Sequence, residues 1–286
     1  VERSRGLGDV YKRQYQKMVN LFGKGFIGTY YSDMYPCTVN GRNDLTVKTN
    51  EILYMISTID NYNVHINPYI DIETNLTTLI RVLEQCKNKD VTFNFASSWF
   101  VYGKTDSPYR ENSYCNPTGF YSITKRAAEQ LLISYCETFN IKYRILRFAN
   151  VLGPGDKKVS KKKNALTYLV NEIKQGNDVN LYDGGNITRD YIHVKDLCEA
   201  INLVITKGEV NSIYNLGNNH PVRFRDAIEY VIYKTGSTSK INDVEQAEFH
   251  KIVQTKSMSM DSTKLFNLGY RPKYNMEMIL DELIVD

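Results

Sequence analysis

The chain lacks a charge imbalance of any size: its formal net charge is +4 in 286 residues. No basic stripe with interleaved aromatics is present, so nothing suggests a nucleic-acid partner, and small molecules are expected instead. Cysteine is sparse. Cys37, Cys86, Cys115, Cys136 and Cys198 are odd in number, widely spaced and without a Cys-x-x-Cys, which indicates neither a disulfide framework nor a metal site. That usage fits a reducing, cytoplasmic setting. No apolar run approaches the ~20 residues of a membrane span, and no signal-peptide pattern is visible. Repeats and low-complexity linkers are missing as well.

What the chain does have is a 42% hydrophobic content spread along its length, enough for a sizeable core in one large or two modest domains. Residues 1–14, VERSRGLGDVYKRQ, are set apart from the fold as a non-native tail. Asp9-Val10-Tyr11-Lys12-Arg13-Gln14 resembles the translated end of a transposon adapter; a flexible basic tail is the bland alternative. Without these residues, four basic and two acidic, the net charge falls from +4 to +2.

From residue 17 strand and helix patterns alternate. Residues 17–22 read as a strand, Gly23-Lys24-Gly25-Phe26-Ile27-Gly28 as a turn, and 29–35 as a helix. A strand, glycines and a helix start together make a phosphate cradle, because backbone N–H groups and the positive end of the helix dipole converge on an anion. The full fingerprint has a glycine where Phe22 stands, so a reshaped cradle is expected. After a short strand at 37–39, Arg42 would welcome the extra phosphate of NADP, whereas Asp44 would bind the ribose hydroxyls of NAD. The cofactor choice, NAD or NADP, stays open, and the region before residue 52 is abbreviated.

Residues 52–59 read as a buried strand ending in Ser57 and Thr58, which either line a cofactor groove or cap the next element. Ile72, Leu76, Leu79, Ile80 and Leu83 mark the core face of a helix over 71–86, with Asn75 falling among them. A strand over 91–96 ends in Ser97-Ser98, a helix runs from about 118 to 139, and a strand covers 143–148. This rhythm predicts an α/β fold, a doubly wound parallel sheet whose loops at the carboxyl ends of the strands carry the site. Ser98 and Asn150 fall at such ends. Beyond residue 151 lies a basic loop with Lys157, Lys158, Lys161, Lys162 and Lys163, read as a solvated surface rather than a diphosphate guide. The lone His193 reads as structural. The expected organisation is a nucleotide-binding domain over 15–150 and a smaller interleaved substrate region over 151–286, whose residues from about 190 to 220 return to the sheet.

Ser98, Tyr121 and Lys125 carry the chemistry. Tyr121 and Lys125 share a helix face at i and i+4, and Ser98 ends the preceding strand. A phenol is a weak base at neutral pH, but an ammonium beside it favours the phenolate. Such a phenol can take a proton from an alcohol while the serine holds the same oxygen. Tyr-x-x-x-Lys alone is weak, since about two pairs arise by chance. Tyr191/Lys195 and Tyr230/Lys234 repeat the spacing and read as surface helix residues.

The ordered set Gly25-Phe26-Ile27-Gly28, Ser97-Ser98 before Val101-Tyr102-Gly103, Tyr121-x-x-x-Lys125, Leu146-Arg147-Phe148-Ala149-Asn150-Val151-x-Gly153-Pro154 and Arg189-Asp190-Tyr191-Ile192-His193-Val194-x-Asp196 resembles an extended short-chain dehydrogenase/reductase of the NAD-dependent nucleotide-sugar epimerase/dehydratase family. The resemblance runs from about residue 17 to the C-terminus. It implies a Rossmann-like fold, a bound NAD or NADP and a nucleotide-sugar substrate. Tyr121 would be the base, Lys125 would lower its pKa and hold the nicotinamide ribose, and Ser98 would hold the sugar oxygen. Asn150 would contact the substrate phosphates and Arg189 the nucleotide. Gly23, Gly25, Phe26, Ile27, Gly28, Arg42, Ser57 and Thr58 would surround the cofactor. The family's 4,6-dehydratases place Asp-Glu before Val-Tyr-Gly; here Trp99-Phe100 stands there, and neither side chain transfers a proton. An epimerase acting at C4 is therefore expected, with a keto-sugar reductase as second choice and a degenerate nucleotide-binding non-enzyme as the alternative of another class. A homodimer joined through long helices is a further expectation from the resemblance.

Overall fold

The computed structural model describes residues 17–156, 164–253 and 257–286. The expected tail at 1–14 and the basic loop at 157–163 lie outside them.

Strand β1 (Val19–Phe22) leads through a turn into α1 (Phe26–Met34), and β2 (Cys37–Val39) follows. Residues 40–50 then return without a helix or strand to β3 (Glu51–Tyr54). After α2 (Asn63–Ile66) comes a helical run in three parts: α3 (Tyr69–Ile72), a π-turn (Glu73–Thr77) and α4 (Thr78–Glu84). Strand β4 (Thr92–Ser98), a 3₁₀ turn (Trp99–Tyr102), α5 (Phe120–Thr138) and β5 (Lys142–Phe148) complete the first half. The expected strand over 52–59 is shorter, because its pairing with β1 and β4 ends at Tyr54 and frees Ser57 for the loop.

The remainder runs β6 (Asn150–Leu152), α6 (Ala165–Lys174), β7 (Val179–Tyr182), β8 (Thr188–His193), α7 (Val194–Lys207) and β9 (Ser212–Leu216). It ends with β10 (Pro221–Arg223), α8 (Phe224–Thr235), β11 (Ile241–Val244), α9 (Glu248–Val253), α10 (Thr263–Asn267) and α11 (Met276–Val285).

The main sheet has the order β2-β1-β3-β4-β5-β9 and is parallel throughout. Its inner strands are buried on both faces, and successive side chains point to opposite ones. Val19, Leu21, Leu53, Leu146 and Tyr214 face one cluster, which α1 and α7 cover through Tyr31, Leu197 and Ile201. Phe22, Ile52, Tyr54, Phe93, Phe95 and Ile145 face the other, covered by Leu79, Val82 and Leu83 of α4 and Ala128 and Leu132 of α5. Helices on both faces make the fold doubly wound α/β. The chain passes from β2 on one side of β1 to β3 on the other, and that reversal opens a crevice beyond the carboxyl ends of the strands.

A third apolar cluster joins α6, β7, α8 and α11 through Val170, Leu181, Ile228 and Leu280. Small sheets of order β10-β8-β6 and β11-β7 lie beside it, while β9 pairs with β5 in the main sheet. Among the described residues no helix is long and apolar enough to cross a membrane.

Candidate active site

One cleft of about 1820 Å³ lies at the strand ends, and its walls include Gly23, Gly25, Phe26, Ile27, Gly28, Arg42, Ser57, Ser98, Tyr121, Lys125, Asn150 and Arg189. Thr58 is the exception among the expected site residues. It does not line the cleft, because its hydroxyl is engaged behind the wall, donating to Asp71 Oδ1 and accepting from Asn75 Nδ2 at 2.8 Å.

The glycine turn explains how Phe22 is accommodated. Phe22 ends β1 with its ring in the core, 6.2 Å from that of Tyr54, and the chain turns one residue later at Gly23, whose φ is +96°. A Cβ on Gly28 would lie 2.4 Å from the Gly23 carbonyl oxygen, so only glycine lets α1 start so close to the turn. Gly25 caps α1, and a Cβ there would meet nothing within 4 Å. The first turn of α1 has no side-chain cap and no acidic residue, which leaves its N–H groups for an anion. A bare backbone at a helix start on the cleft wall fits the pyrophosphate of a dinucleotide. Arg42 also faces the cleft, whereas Asp44 is held by Lys48 at 2.6 Å and by the Thr46 N–H.

Helix α5 sets the reacting groups. Its first turn is closed by Ser122, whose hydroxyl accepts from the Gly119 N–H at 2.9 Å and donates to the Gly119 carbonyl at 2.7 Å. Tyr121 therefore points from the second helical position towards the end of β4. Burial pushes its phenol up to about 12 and the nearby Asp71 adds to it, outweighing the Ser98 and Ser57 hydroxyls, which favour the phenolate. Among the described residues no hydrogen bond joins Lys125 to the phenol. The ammonium instead donates to the Ala96 carbonyl at 2.6 Å and lies 4.5 Å from the centre of the Phe95 ring. Burial holds it down at about 7, against the opposing pull of Glu129. A shared helix face brings the two Cα atoms together, yet the long lysine arm reaches the strand.

Ser98 is extended and caps the 3₁₀ turn, accepting from the Phe100 N–H at 3.3 Å. Trp99 and Phe100 stack at 4.0 Å, and the Phe100 ring meets that of Tyr121 edge-on at 6.0 Å. Asn150 accepts from Trp99 Nε1 at 3.2 Å and donates to the Asp190 carbonyl at 3.1 Å, which ties the turn to β8. Arg189 is 7% exposed, with its guanidinium 5.6 Å from the centre of the Trp99 ring. Tyr191 is buried in β8 and lines the cleft, which corrects its reading as a surface helix residue. His193 is buried, stacked on Tyr274 at 3.8 Å and 3.0 Å from Glu282, a structural tie to α11.

Two features escaped the sequence. Asn75, alone among apolar neighbours, is the hub of a polar cluster: its Oδ1 accepts from Ser57 Oγ and the Thr58 N–H, and its Nδ2 donates to Thr58 and Thr124. Its polar character on an apolar helix face was the one available signal. Tyr62 and His250 meet at 2.9 Å across 188 residues of chain and both line the cleft; no local pattern announces such a pair.

Residues 45–217, more than half of the chain, match the NAD dependent epimerase/dehydratase family. The match begins beyond the reshaped glycine turn. The low-salt glycan biosynthesis protein Agl12 of Haloferax volcanii is 26% identical over 72% of this chain. The dTDP-D-glucose 4,6-dehydratase of Dictyostelium discoideum is 28% identical over 56% of it. These stretches span 65% and 39% of the two relatives' own lengths. A crystal structure of the UDP-glucose 4-epimerase of Thermotoga maritima with UDP-glucose superimposes with a TM-score of 0.81 at 22% identity, over 94% of this chain and 97% of that one; this likeness carries the Rossmann fold. By its matched sequence, and with a doubly wound sheet opening onto a glycine turn, the chain belongs to the NAD dependent epimerase/dehydratase family.

Proposed function

We propose that the protein is an NAD(P)-dependent enzyme that reversibly oxidises a hydroxyl of a nucleotide sugar, most simply a 4-epimerase. The observation that carries this is that Ser98, Tyr121 and Lys125 line the same cleft onto which the glycine turn opens. Ser98 holds the sugar oxygen, and Tyr121 removes its proton and later returns one. Gly23, Gly25, Phe26, Ile27 and Gly28 hold the cofactor pyrophosphate, and Lys125 its ribose. Arg42 on the wall, with Asp44 engaged elsewhere, supports NADP over NAD. The bound nicotinamide supplies the acceptor for the two electrons and hydrogen that leave the sugar carbon, and gives them back, so the reaction balances without another oxidant. Asn150 and Arg189 receive the phosphate and nucleotide end of the substrate. The likeness to a UDP-glucose 4-epimerase supports this assignment. Ile123 and Leu131, exposed on α5, support association of two copies.

A keto-sugar reductase is the second reading, in which the Tyr121 phenol gives its proton to a ketone oxygen on reduction. Nucleotide sugars with and without NADPH, with products identified by NMR, separate the two, since an epimerase consumes no net reductant. Tyr121→Phe should abolish turnover and leave cofactor binding, followed by fluorescence, nearly intact. Full activity in that variant refutes the assigned base, and a protein that binds neither NAD nor NADP is the degenerate non-enzyme.

A further inference from the structure

On one side of the Tyr121 ring the cleft wall is aromatic carbon. The Phe100 ring meets that of Tyr121 edge-on at 6.0 Å and is stacked on Trp99 at 4.0 Å, the two planes 24° apart. Both line the cleft, Phe100 half-buried and Trp99 3% exposed. The indole N–H and the Phe100 backbone are engaged elsewhere. Trp99 Nε1 donates to Asn150 Oδ1 at 3.2 Å, the Phe100 N–H donates to Ser98 Oγ at 3.3 Å, and the Phe100 carbonyl accepts from the Gly103 N–H at 3.2 Å.

The turn that carries this wall is anchored on several sides. Trp99, Val101 and Tyr102 belong to the core cluster under the main sheet. The Tyr102 hydroxyl donates to Asn215 Oδ1 at 2.6 Å, and its carbonyl accepts from the Asn116 N–H at 3.0 Å. Asn150, which holds the indole, is itself tied to the Asp190 carbonyl at 3.1 Å. A phenyl ring backed by a fixed indole presents one apolar shape to a ligand.

A sugar whose reacting hydroxyl reaches Ser98 and Tyr121 lies against this wall. Two carbons flank C4 in a hexose: C3 with its hydroxyl, and C5 with C6. A hydroxyl pressed on carbon loses its water without gaining a partner, whereas a methyl gains by leaving water. Of the two flanking groups only C6 can be a bare methyl, so the wall favours C5 towards Phe100 and a sugar without oxygen on C6.

We propose that Phe100, backed by Trp99, is a specificity-determining residue and that the preferred substrate is a nucleotide 6-deoxyhexose, its C6 methyl seated on the Phe100 ring. The inference rests on Tyr121 acting at the C4 hydroxyl, as proposed above, and narrows that reading to one class of sugar. Phe100 moves no proton and acts only through what it admits.

The test compares UDP-6-deoxyglucose, UDP-glucose and UDP-glucuronic acid, with the dTDP forms of the first two, in the full-length protein supplied with NAD or NADP. For the wild type, kcat/KM should be roughly tenfold or more higher for the 6-deoxy sugar than for glucose, the range one misplaced hydroxyl supplies in an apolar pocket, and lowest for the uronic acid. Phe100→Thr puts a hydroxyl on the wall and should remove most of the preference, while Phe100→Leu, still apolar, should keep it. Cofactor fluorescence and melting temperature check that each variant is folded; if Phe100→Thr is not, Phe100→Tyr, which keeps the ring and adds a hydroxyl, takes its place. Glucose turned over as well as 6-deoxyglucose by the wild type, or a ratio that the polar variant leaves unchanged, overturns the proposal. With Tyr121→Phe inactive, either result removes only the choice of sugar. If Tyr121→Phe keeps full activity, or no nucleotide sugar is turned over, the reading of Tyr121 falls and takes this proposal with it.

Discussion

Replacing Arg147 by methionine tests how the end of β4 is held. The Arg147 guanidinium is 1% exposed and grips Glu129 with two bonds, Nε to Oε1 at 2.9 Å and Nη2 to Oε2 at 2.8 Å. Glu129 also accepts from Ser97 at 2.6 Å and from Arg126 at 2.8 Å, and so joins the strand that ends in Ser98 to the helix that carries Tyr121. Removing one partner of a buried pair costs about 3–5 kcal/mol, because the other charge is left in a dry site. Arg126 is 28% exposed and stays as a partial partner, which places the loss near the lower figure. For 286 residues, at roughly 2 cal/mol/K of unfolding entropy per residue, about 3 kcal/mol lowers Tm by about 5 °C. The double variant Arg147→Met with Glu129→Leu should lose less than the single one, since an apolar pair carries no stranded charge.

The pH dependence supplies an independent sign. In the folded chain Glu129 is held below the usual carboxylate range, Arg147, Ser97 and Arg126 together overcoming burial. Its contribution is therefore present above the unfolded value of about 4.3 and lost as pH falls through the folded one. Without Arg147, burial lifts the carboxyl, and protonation relieves the variant. The Tm gap between wild type and Arg147→Met should be widest near pH 7 and close as the solution is acidified, as followed by calorimetry. A variant melting with the wild type at pH 7, or a gap that widens in acid, refutes the reasoning.

Lys125→Met should abolish turnover yet melt no lower than the wild type at pH 7. With a folded value of about 7 against about 10.4 unfolded, the unfolded chain holds the proton in the window between them, so wild-type stability rises with pH there and any advantage of the variant should shrink towards pH 10; a variant that loses ground at pH 7 contradicts this. Gly28→Ala puts a Cβ 2.4 Å from the Gly23 oxygen, and should weaken cofactor binding and cost about 1–3 kcal/mol of overpacking; unchanged cofactor fluorescence would exclude the cradle. Arg189→Ala should raise KM more than it lowers kcat, the mark of lost uniform binding, and an unchanged KM counts against its place at the nucleotide.

The parts of the fold that follow from side-chain period were legible. Val19, Leu21 and Phe22 are apolar around the buried Asn20 because β1 is buried on both faces, and the i, i+4 spacing put Tyr121 and Lys125 on one helix face. What period cannot convey is where a long side chain goes once its Cα is placed. Lys125 has the phenol and the Ala96 carbonyl within its possible range, and pairing of strand and helix decides for the carbonyl. Tyr191 shows the opposite error: Tyr-x-x-x-Lys was read as helical, but pairing with β10 and β6 makes residues 188–193 a strand, and the helix begins only at Val194. The site also draws on contacts between distant segments, such as Thr58 with Asp71 or Tyr62 with His250, which leave no local mark.

Two departures from ordinary local structure coincide behind Tyr121. The helix loosens into a π-turn over Glu73–Thr77, and the carboxylate just before it, Asp71, is fully buried, its Oδ2 having no hydrogen-bond partner among the described residues. A buried acceptor left unsatisfied costs about 1–3 kcal/mol, and an apolar side chain would avoid that penalty. Such features concentrate where a fold gives up stability for chemistry. Here the same cluster holds the Ser57 hydroxyl and the Asp71 carboxylate, and the two act oppositely on Tyr121: the serine favours the phenolate and Asp71 the phenol. A group that must be base in one step and acid in the next works best when neither form is strongly preferred. Burial and Asp71 hold Tyr121 further towards the acid, and Ser98 and Ser57 reduce the free energy needed to reach the base.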